Sequence, residues 1–146
     1  MFRIVERQPM KRIPCIIIAA VSLLLGLLVY LLFNQATYIY SFLPEWLRFQ
    51  QLTVDNSILD MLLKNYCADL LWAISFTFVV QSILMLKPPK VYLLLLTTVL
   101  GVAVEIMQLS SIINGTFDLF DILVYFLGSL ISIIIIKIGG KRNEIN

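Results

Sequence analysis

The sequence predicts an all-helical membrane protein, a four-transmembrane-helix bundle with a short interfacial or extracytoplasmic helical segment between its first two helices. Of the 146 residues, 60% are hydrophobic and 14% are charged, whereas a soluble domain is about half apolar and about a quarter charged. The apolar residues come in four long blocks, and about 20 apolar residues are enough to cross the hydrocarbon of a bilayer. We therefore expect one integral membrane domain over residues 1–146.

The first block begins at Ile13 and ends near residue 34, after four basic residues: Arg3, Arg7, Lys11 and Arg12. A basic start before an apolar stretch also fits a signal peptide. However, the run of 21 residues from Ile13 to Phe33 is longer than a normal signal-peptide core, and no convincing small-x-small cleavage site follows it. We expect a retained span.

The connection over residues 35–64 is the longest polar-containing stretch between spans. Its apolar residues between Ile39 and Leu47 follow helical spacing, and Pro44 suits the first position of a short helix that runs to about Gln51. Its aromatic residues are typical of a segment lying in the membrane interface. An ordinary loop packed over the helix ends explains the pattern equally well.

The remaining spans are bounded by caps and helix-breaking residues. Asp55, Asn56 and Ser57 are candidate N-caps, so the second helix is expected to start outside the bilayer near Ser57. Two prolines at 88–89 end that helix, and Gly139-Gly140 is expected to stop the last one. The predicted second, third and fourth spans are residues 65–86, 91–110 and 117–138.

Four spans place both ends of the chain on one side of the membrane, and the distribution of Lys and Arg indicates which side. Nine of the 11 basic residues fall on the side of the chain ends, and only Arg48 and Lys64 fall on the other. The positive-inside rule then places both ends in the cytoplasm and residues 35–64 outside.

Four carboxylates lie within or beside the predicted spans: Asp69, Glu105, Asp118 and Asp121. A charge at membrane depth costs at least ~2.5–3.5 kcal/mol, so such residues usually face a bundle interior and mark a site. Glu105 is the fifteenth residue of a helix that rises from inside, or about 21 Å above the first residue of that helix. The other three lie near the outer ends of their helices, so all four are expected at one depth. We predict that these four residues are the catalytic groups if the protein is an enzyme.

Helical spacing directs these carboxylates toward one outward-facing pocket. Glu105 and Gln108 share a helix face, as do Asp118, Asp121 and Tyr125. The predicted substrate-binding residues are Gln108, Tyr125, Tyr66, Trp72 and Asn114. Other readings stay open: Asp118 could cap the fourth helix, Asp121 could face water, and Tyr66 and Trp72 could belong to an interfacial aromatic belt. A Glu in mid-span has no capping role, and a buried Glu105 is expected to be either protonated near neutral pH or paired with a bound cation.

Clustered carboxylates in a chain without histidine favour a hard, oxygen-ligated divalent cation such as Mg²⁺, Ca²⁺ or Mn²⁺. The predicted ligands of such a cation are Glu105, Asp118 and Asp121. Two carboxyl groups could instead act as an acid–base pair, but the sequence has no recognisable nucleophile. Cys15 and Cys67 open runs that enter from opposite sides, which excludes an intrachain disulfide. Whether the protein is an enzyme stays open.

Residues 60 to 135 contain motifs of a known family: Glu105-x-x-Gln108-Leu109, followed by Asp118-x-x-Asp121-Ile122-x-x-Tyr125-x-x-Gly128. This pattern resembles the VanZ-like family of small bacterial membrane proteins. The stretch from Asp69 to Ala73 is similar to a related membrane family of unknown function. The resemblance implies a multi-pass helical protein of the bacterial plasma membrane, and the member that names the family is tied to resistance to the glycopeptide teicoplanin. In this chain Gly115-Thr116 replaces an Arg common before the first Asp, and Tyr125 stands where Asn is common.

Three functions are compatible with the pattern. The first is a cell-envelope protein that binds or acts on a lipid-linked or polar headgroup ligand. The second is a small proton- or cation-coupled transporter in which Glu105 titrates, although the inner halves of the spans offer few polar residues. The third is a non-catalytic or immunity-type partner subunit of another membrane protein. The expected partners are the lipid bilayer and either a lipid-linked envelope precursor or another membrane protein, and no nucleic acid.

Overall fold

The computed structural model of the protein describes residues 10–33, 44–48, 52–85, 91–110, 112 and 117–142. Within these residues the chain is all-helical and contains no strand. The helices are α1 (Arg12–Phe33), α2 (Ser57–Leu84), α3 (Val91–Leu109) and α4 (Leu119–Arg142). All four are long and apolar enough to span a membrane. The predicted all-helical fold with four candidate spans is therefore confirmed at this level.

Helix α2 is not regular along its length. It begins with an α-helical segment, Ser57–Leu62, whose N-cap Asn56 accepts hydrogen bonds from the backbone nitrogens of Ile58 and Leu59, each at 3.1 Å. A π-helical segment, Leu63–Cys67, follows, and the regular α-helix resumes over Ala68–Leu84. The extra residue of a π turn changes which side chains face the bundle, and such turns are frequent at functional sites.

Two local predictions were wrong. The expected short helix from Pro44 to about Gln51 is a single 3₁₀ turn, Glu45–Leu47, and Arg48 is already extended; residues 49–51 lie outside the described part. Gly139-Gly140 does not stop the last helix, which continues to Arg142. No described glycine has a positive φ, so this pair does not adopt the left-handed conformation that ends helices.

The helices alternate in direction and α2 contacts all the others. Helix α1 packs along α2, α2 packs against α4, and α3 packs against both α4 and α2. At one end of the bundle the Arg12 Nε donates to the carbonyl oxygen of Ser82 at 3.0 Å, and Met10 lies beside Gly139. Both ends of the described chain therefore lie at this end, and the carboxylates lie at the other.

The interior of the bundle combines small and polar residues with larger apolar side chains such as Phe78, Leu93 and Ile136. On α1 the buried residues are Cys15, Ala19, Ser22 and Gly26, while most of its Ile and Leu side chains are exposed. The Ser75 Oγ donates to the carbonyl oxygen of Ala19 at 2.8 Å, and the hydroxyls of Thr77 and Thr97 lie 3.1 Å apart. Small residues at contacts and hydroxyls bonded across helices are typical of membrane bundles.

Gly128 sets the contact between α4 and α2. A Cβ atom at this position would lie 2.7 Å from the Cβ of Ala73 and 3.0 Å from the carbonyl oxygen of Leu70. The two backbones therefore approach as closely as only glycine permits. Ser132, one turn later, is fully buried and donates to the Gly128 carbonyl at 2.8 Å. The predicted role of Gly128-x-x-x-Ser132 in close helix approach agrees with this geometry.

Candidate functional site

A cavity of about 260 Å³ opens at the end of the bundle that lies away from Arg12. All four helices contribute lining residues to this cavity, and so does Asp118, the residue before α4. Its lining residues, here called the carboxylate pocket, are Tyr30, Lys64, Asn65, Ala68, Asp69, Gln108, Asp118 and Asp121. Three of the four predicted carboxylates and the predicted Gln108 thus line a single cavity.

Glu105 lies behind this pocket rather than on its wall. Its side chain is 1% exposed, and its Oε2 accepts a hydrogen bond from the backbone nitrogen of Asp118 at 3.0 Å. Asp118 immediately precedes α4, where backbone N–H groups lack partners within the helix and negative charge is favourable. The expectation that a mid-span Glu has no capping role was wrong, because Glu105 caps a neighbouring helix rather than its own.

Asp118 uses both carboxylate oxygens in hydrogen bonds. Its Oδ1 accepts from the backbone nitrogen of Phe120 at 2.9 Å, which is the N-cap geometry considered from the sequence. Its Oδ2 accepts from the Tyr66 hydroxyl at 3.1 Å. Asp118 therefore both caps α4 and links it to the π-helical segment of α2.

Asp69 and Asp121 are the less engaged carboxylates. The Tyr125 hydroxyl donates to the Asp69 Oδ1 at 3.5 Å, which is at the outer limit of a hydrogen bond. Asp121 is half-buried on the pocket wall. Within the described ranges, no donor or cation contacts its carboxylate. A half-buried carboxylate without a partner has acceptor capacity that a ligand could satisfy.

Four lining residues were not among the predicted site residues: Tyr30, Lys64, Asn65 and Ala68. Tyr30 comes from α1, for which no site residue was predicted. Lys64 lies in the π-helical segment and is the only cationic side chain among the lining residues; its Nζ pairs with the Asp60 Oδ2 at 2.6 Å. The i, i+4 spacing of Asp60 and Lys64 can be seen in the sequence. The π-helical segment that brings Lys64 to the cavity cannot.

The predicted metal ligands do not form a metal site. Among the residues that the structure describes, no three carboxylate, cysteine or histidine side chains come together in a way that could hold a metal ion. The physical reason lies in the hydrogen bonds: Glu105 faces a backbone nitrogen, and both Asp118 oxygens already have donors. The set Glu105, Asp118 and Asp121 therefore does not fit a divalent cation, and no metal chemistry is derived from it.

The other predicted binding residues lie around the pocket or away from it. Tyr66 and Tyr125 do not line the pocket, but each contacts a residue that does. The Tyr66 hydroxyl donates to Asp118, and the Tyr125 hydroxyl donates to Asp69. Trp72 stands outside the lining, with its ring 5.6 Å from that of Tyr30 and its indole lying over Gly26. Asn114 lies outside the described residues.

Comparisons with protein-family models, with curated proteins and with solved structures found no match. The resemblance to the VanZ-like family therefore stays a prediction that rests on the residues quoted for it.

Proposed function

We propose that the protein is a multi-pass membrane protein whose carboxylate pocket binds the polar headgroup of a lipid or lipid-linked molecule. The observation that carries the proposal is the half-buried Asp121 carboxylate, which has no partner among the described residues and shares a cavity with Asp69 and Asp118. Burying a carboxylate without a hydrogen-bond donor costs free energy. A ligand that supplies a donor would offset this cost. The proposal is one of binding, and no catalytic step is assigned.

The chemistry of the lining favours a ligand with hydrogen-bond donors. Carboxylates accept hydrogen bonds and donate none. The cation in the lining, Lys64, is already paired with Asp60. An ammonium group or a set of sugar hydroxyls complements this surface, whereas an anionic head does not.

We place this site in the bacterial envelope. The motifs that resemble those of the VanZ-like family support a bacterial plasma-membrane protein. The nine basic residues on the side of the chain ends support a location of both ends in the cytoplasm and of the pocket outside. A role in glycopeptide resistance belongs to the same proposal. It predicts that expression of the chain in a susceptible Gram-positive host raises the inhibitory concentration of teicoplanin.

The transporter hypothesis gains less support. Polar residues do occur inside the bundle, but their hydroxyls lie within hydrogen-bond distance of backbone carbonyls: Thr77 of Ala73 and Thr97 of Leu93 in their own helices, and Ser75 of Ala19 on α1. Ser129 and Ser132 do the same on α4. Because these hydroxyls are already hydrogen-bonded, they belong to the contacts between packed helices. The interior is therefore more typical of helix packing than of an ion pathway.

The proposal is tested with three soluble sugars that differ in charge: glucosamine, N-acetylglucosamine and glucuronate. Thermal unfolding of the purified protein in detergent is followed by circular dichroism at rising sugar concentration. A ligand that binds only the folded state raises the midpoint. We expect the largest rise with cationic glucosamine, a smaller rise with the neutral amide, and none with anionic glucuronate.

Asp121→Asn should reduce the rise with glucosamine, because it removes the negative charge from the pocket. Asp55→Asn is the matched control, since Asp55 is exposed and outside the lining, and it should bind glucosamine as the wild type does. Equal midpoints with glucosamine and glucuronate, or an unchanged response in Asp121→Asn, would refute the proposal.

A further inference from the structure

A second cavity, of about 290 Å³, lies beside the carboxylate pocket and has a different character. It is a groove between α2 and α3 with α4 behind it. Its lining residues, here called the apolar groove, are Trp72, Ala73, Phe76, Thr97, Leu100, Gly101, Val104 and Tyr125. The floor consists of small, buried residues from α2 and α3, and the mouth is flanked by the exposed side chains of Phe76 and Leu100.

Tyr125 joins the groove to the pocket. Its hydroxyl lies 3.5 Å from the Asp69 Oδ1 on the pocket wall. Its ring fills the space where a side chain on Gly101 would lie, on the floor of the groove. Tyr125 thus lines the groove and contacts Asp69 on the wall of the pocket. Trp72 lies one helical turn from Asp69, about 4.5 Å along the axis of α2.

The groove runs along the bundle axis, away from the carboxylates. Along α3 its lining extends from Val104 to Thr97, seven residues or about 10 Å at the rise of an α-helix. Its direction is the one that a lipid tail takes when the headgroup lies at the membrane surface. A polar cavity at the surface with an apolar groove beside it complements an amphipathic molecule.

We propose that the apolar groove holds one acyl chain of a lipid whose amine-bearing headgroup lies in the carboxylate pocket. The inference rests on the proposed function and names the class of ligand. Two observations select this occupant over an apolar helix of another protein. The groove adjoins the pocket at Tyr125, whose hydroxyl lies 3.5 Å from the Asp69 Oδ1. The pocket presents carboxylates that complement an ammonium group and not an apolar surface.

Trp72 supplies the probe, because it lines the groove and the chain has only one other tryptophan, Trp46. A Trp46→Phe protein is reconstituted in phosphatidylcholine nanodiscs that contain one-fifth of a lipid with brominated acyl chains, which quench nearby indole fluorescence. The brominated lipid is either phosphatidylethanolamine, which carries an amine, or phosphatidylglycerol, which carries none. We expect at least twofold stronger quenching by the phosphatidylethanolamine.

Two substitutions on α3 separate groove occupancy from general contact with lipid. Val104→Phe adds bulk to the groove and should reduce quenching by the amine-bearing lipid at least by half. Val99→Phe makes the same change on the same helix at a position that is 60% exposed and outside the groove, and it should leave quenching unchanged. Asp121→Asn should remove the preference between the two lipids.

Equal quenching by the two lipids, as expected of ordinary surrounding lipid, would overturn the inference. So would a preference that Val104→Phe leaves unchanged. Shielding of Trp72 from both lipids in discs that contain two copies of the chain would assign the groove to a second copy and also overturn it. If glucosamine binds in an Asp121-dependent way while the lipids quench equally, the proposed function stands and only this inference fails.

Discussion

At the scale of single residues, the carboxylates of this bundle divide into two groups. Glu105 and Asp118 accept hydrogen bonds around the start of α4. Glu105 accepts from the Asp118 nitrogen, and Asp118 accepts from the Phe120 nitrogen and the Tyr66 hydroxyl. Asp69 and Asp121 line the cavity with fewer contacts. We therefore expect the first pair to matter most for stability and the second for binding.

Glu105→Gln should leave the free energy of unfolding nearly unchanged, because an amide oxygen can accept the hydrogen bond from the Asp118 nitrogen. Glu105→Leu removes this acceptor from a buried donor, so it should lower the free energy of unfolding by about 1–3 kcal/mol. The measurement is denaturation in mixed micelles, followed by circular dichroism. Glu45→Leu, at an exposed position of the 3₁₀ turn, is the control and should stay within about 0.5 kcal/mol of wild type. Equal losses in both Glu105 variants would argue that charge, rather than the hydrogen bond, matters.

Tyr66→Phe should lower the free energy of unfolding by about 0.5–1.5 kcal/mol, because it deletes the hydrogen bond to the Asp118 Oδ2. In an Asp118→Ala background the same change should have little effect, since the acceptor is already gone. A double-mutant cycle measures this coupling. Additive losses would mean that the two residues stabilise the bundle independently.

The convergence of Asp69, Asp118 and Asp121 could be predicted from the sequence, and so could the N-cap hydrogen bond of Asp118, whereas their hydrogen bonds to the tyrosines could not. Depth follows from the rise per residue, and direction from the i, i+3 spacing. The rotation of one helix against another depends on packing, which no spacing within one helix encodes. For this reason Tyr30 was missed and Trp72 was placed in the pocket rather than beside it.

At the scale of elements, α2 departs most from what the sequence predicts. Apolar spacing predicts a regular helix from Ser57 onward, but the chain forms a π-helical segment at Leu63–Cys67. Composition does not mark such a turn, because its extra residue is accommodated by tertiary contacts. In this protein the segment carries Lys64 and Asn65, two of the lining residues of the carboxylate pocket.

Gly128→Ala should destabilise the bundle by about 1–3 kcal/mol, because the added methyl group overlaps with Ala73 and forces α4 away from α2. The free energy of unfolding in mixed micelles measures the effect. Ala103→Val is the control, since it also adds bulk but at an exposed position of α3, and it should change stability little. A Gly128→Ala protein as stable as wild type would contradict the close contact between these helices.

At the scale of the whole molecule, the pocket and the two ends of the described chain occupy opposite ends of the bundle. Met10 and Arg12 mark one end through Gly139 and Ser82, and the carboxylate pocket marks the other. This polarity follows from four alternating helices. Its orientation in a membrane rests on the distribution of Lys and Arg and stays a prediction.

The orientation is tested by labelling intact cells. In a Cys15→Ala, Cys67→Ala background, Asp55→Cys should react with a membrane-impermeant maleimide, because Asp55 lies at the pocket end before α2 and is exposed. A reporter enzyme fused after Asn146 should be active only in the form that works in the cytoplasm. A Cys at 55 that reacts only after the cells are opened would reverse the orientation and place the pocket on the cytoplasmic side.

The buried stripe Cys15, Ala19, Ser22 and Gly26 on α1 has a consequence for how much sequence change the protein tolerates. In water, a helix is constrained mainly by polarity, with apolar residues required on one face. Here both faces of α1 accept apolar residues, and the constraint on the stripe is side-chain volume. All four of its residues are buried, and even a Cβ atom at Gly26 would overlap with the side chain of Trp72 on α2. A saturation library of α1 should therefore show free exchange among Ile, Leu, Val and Phe at exposed positions such as Ile16 and Leu24. The same library should admit only residues about the size of Gly, Ala, Ser or Cys along the stripe.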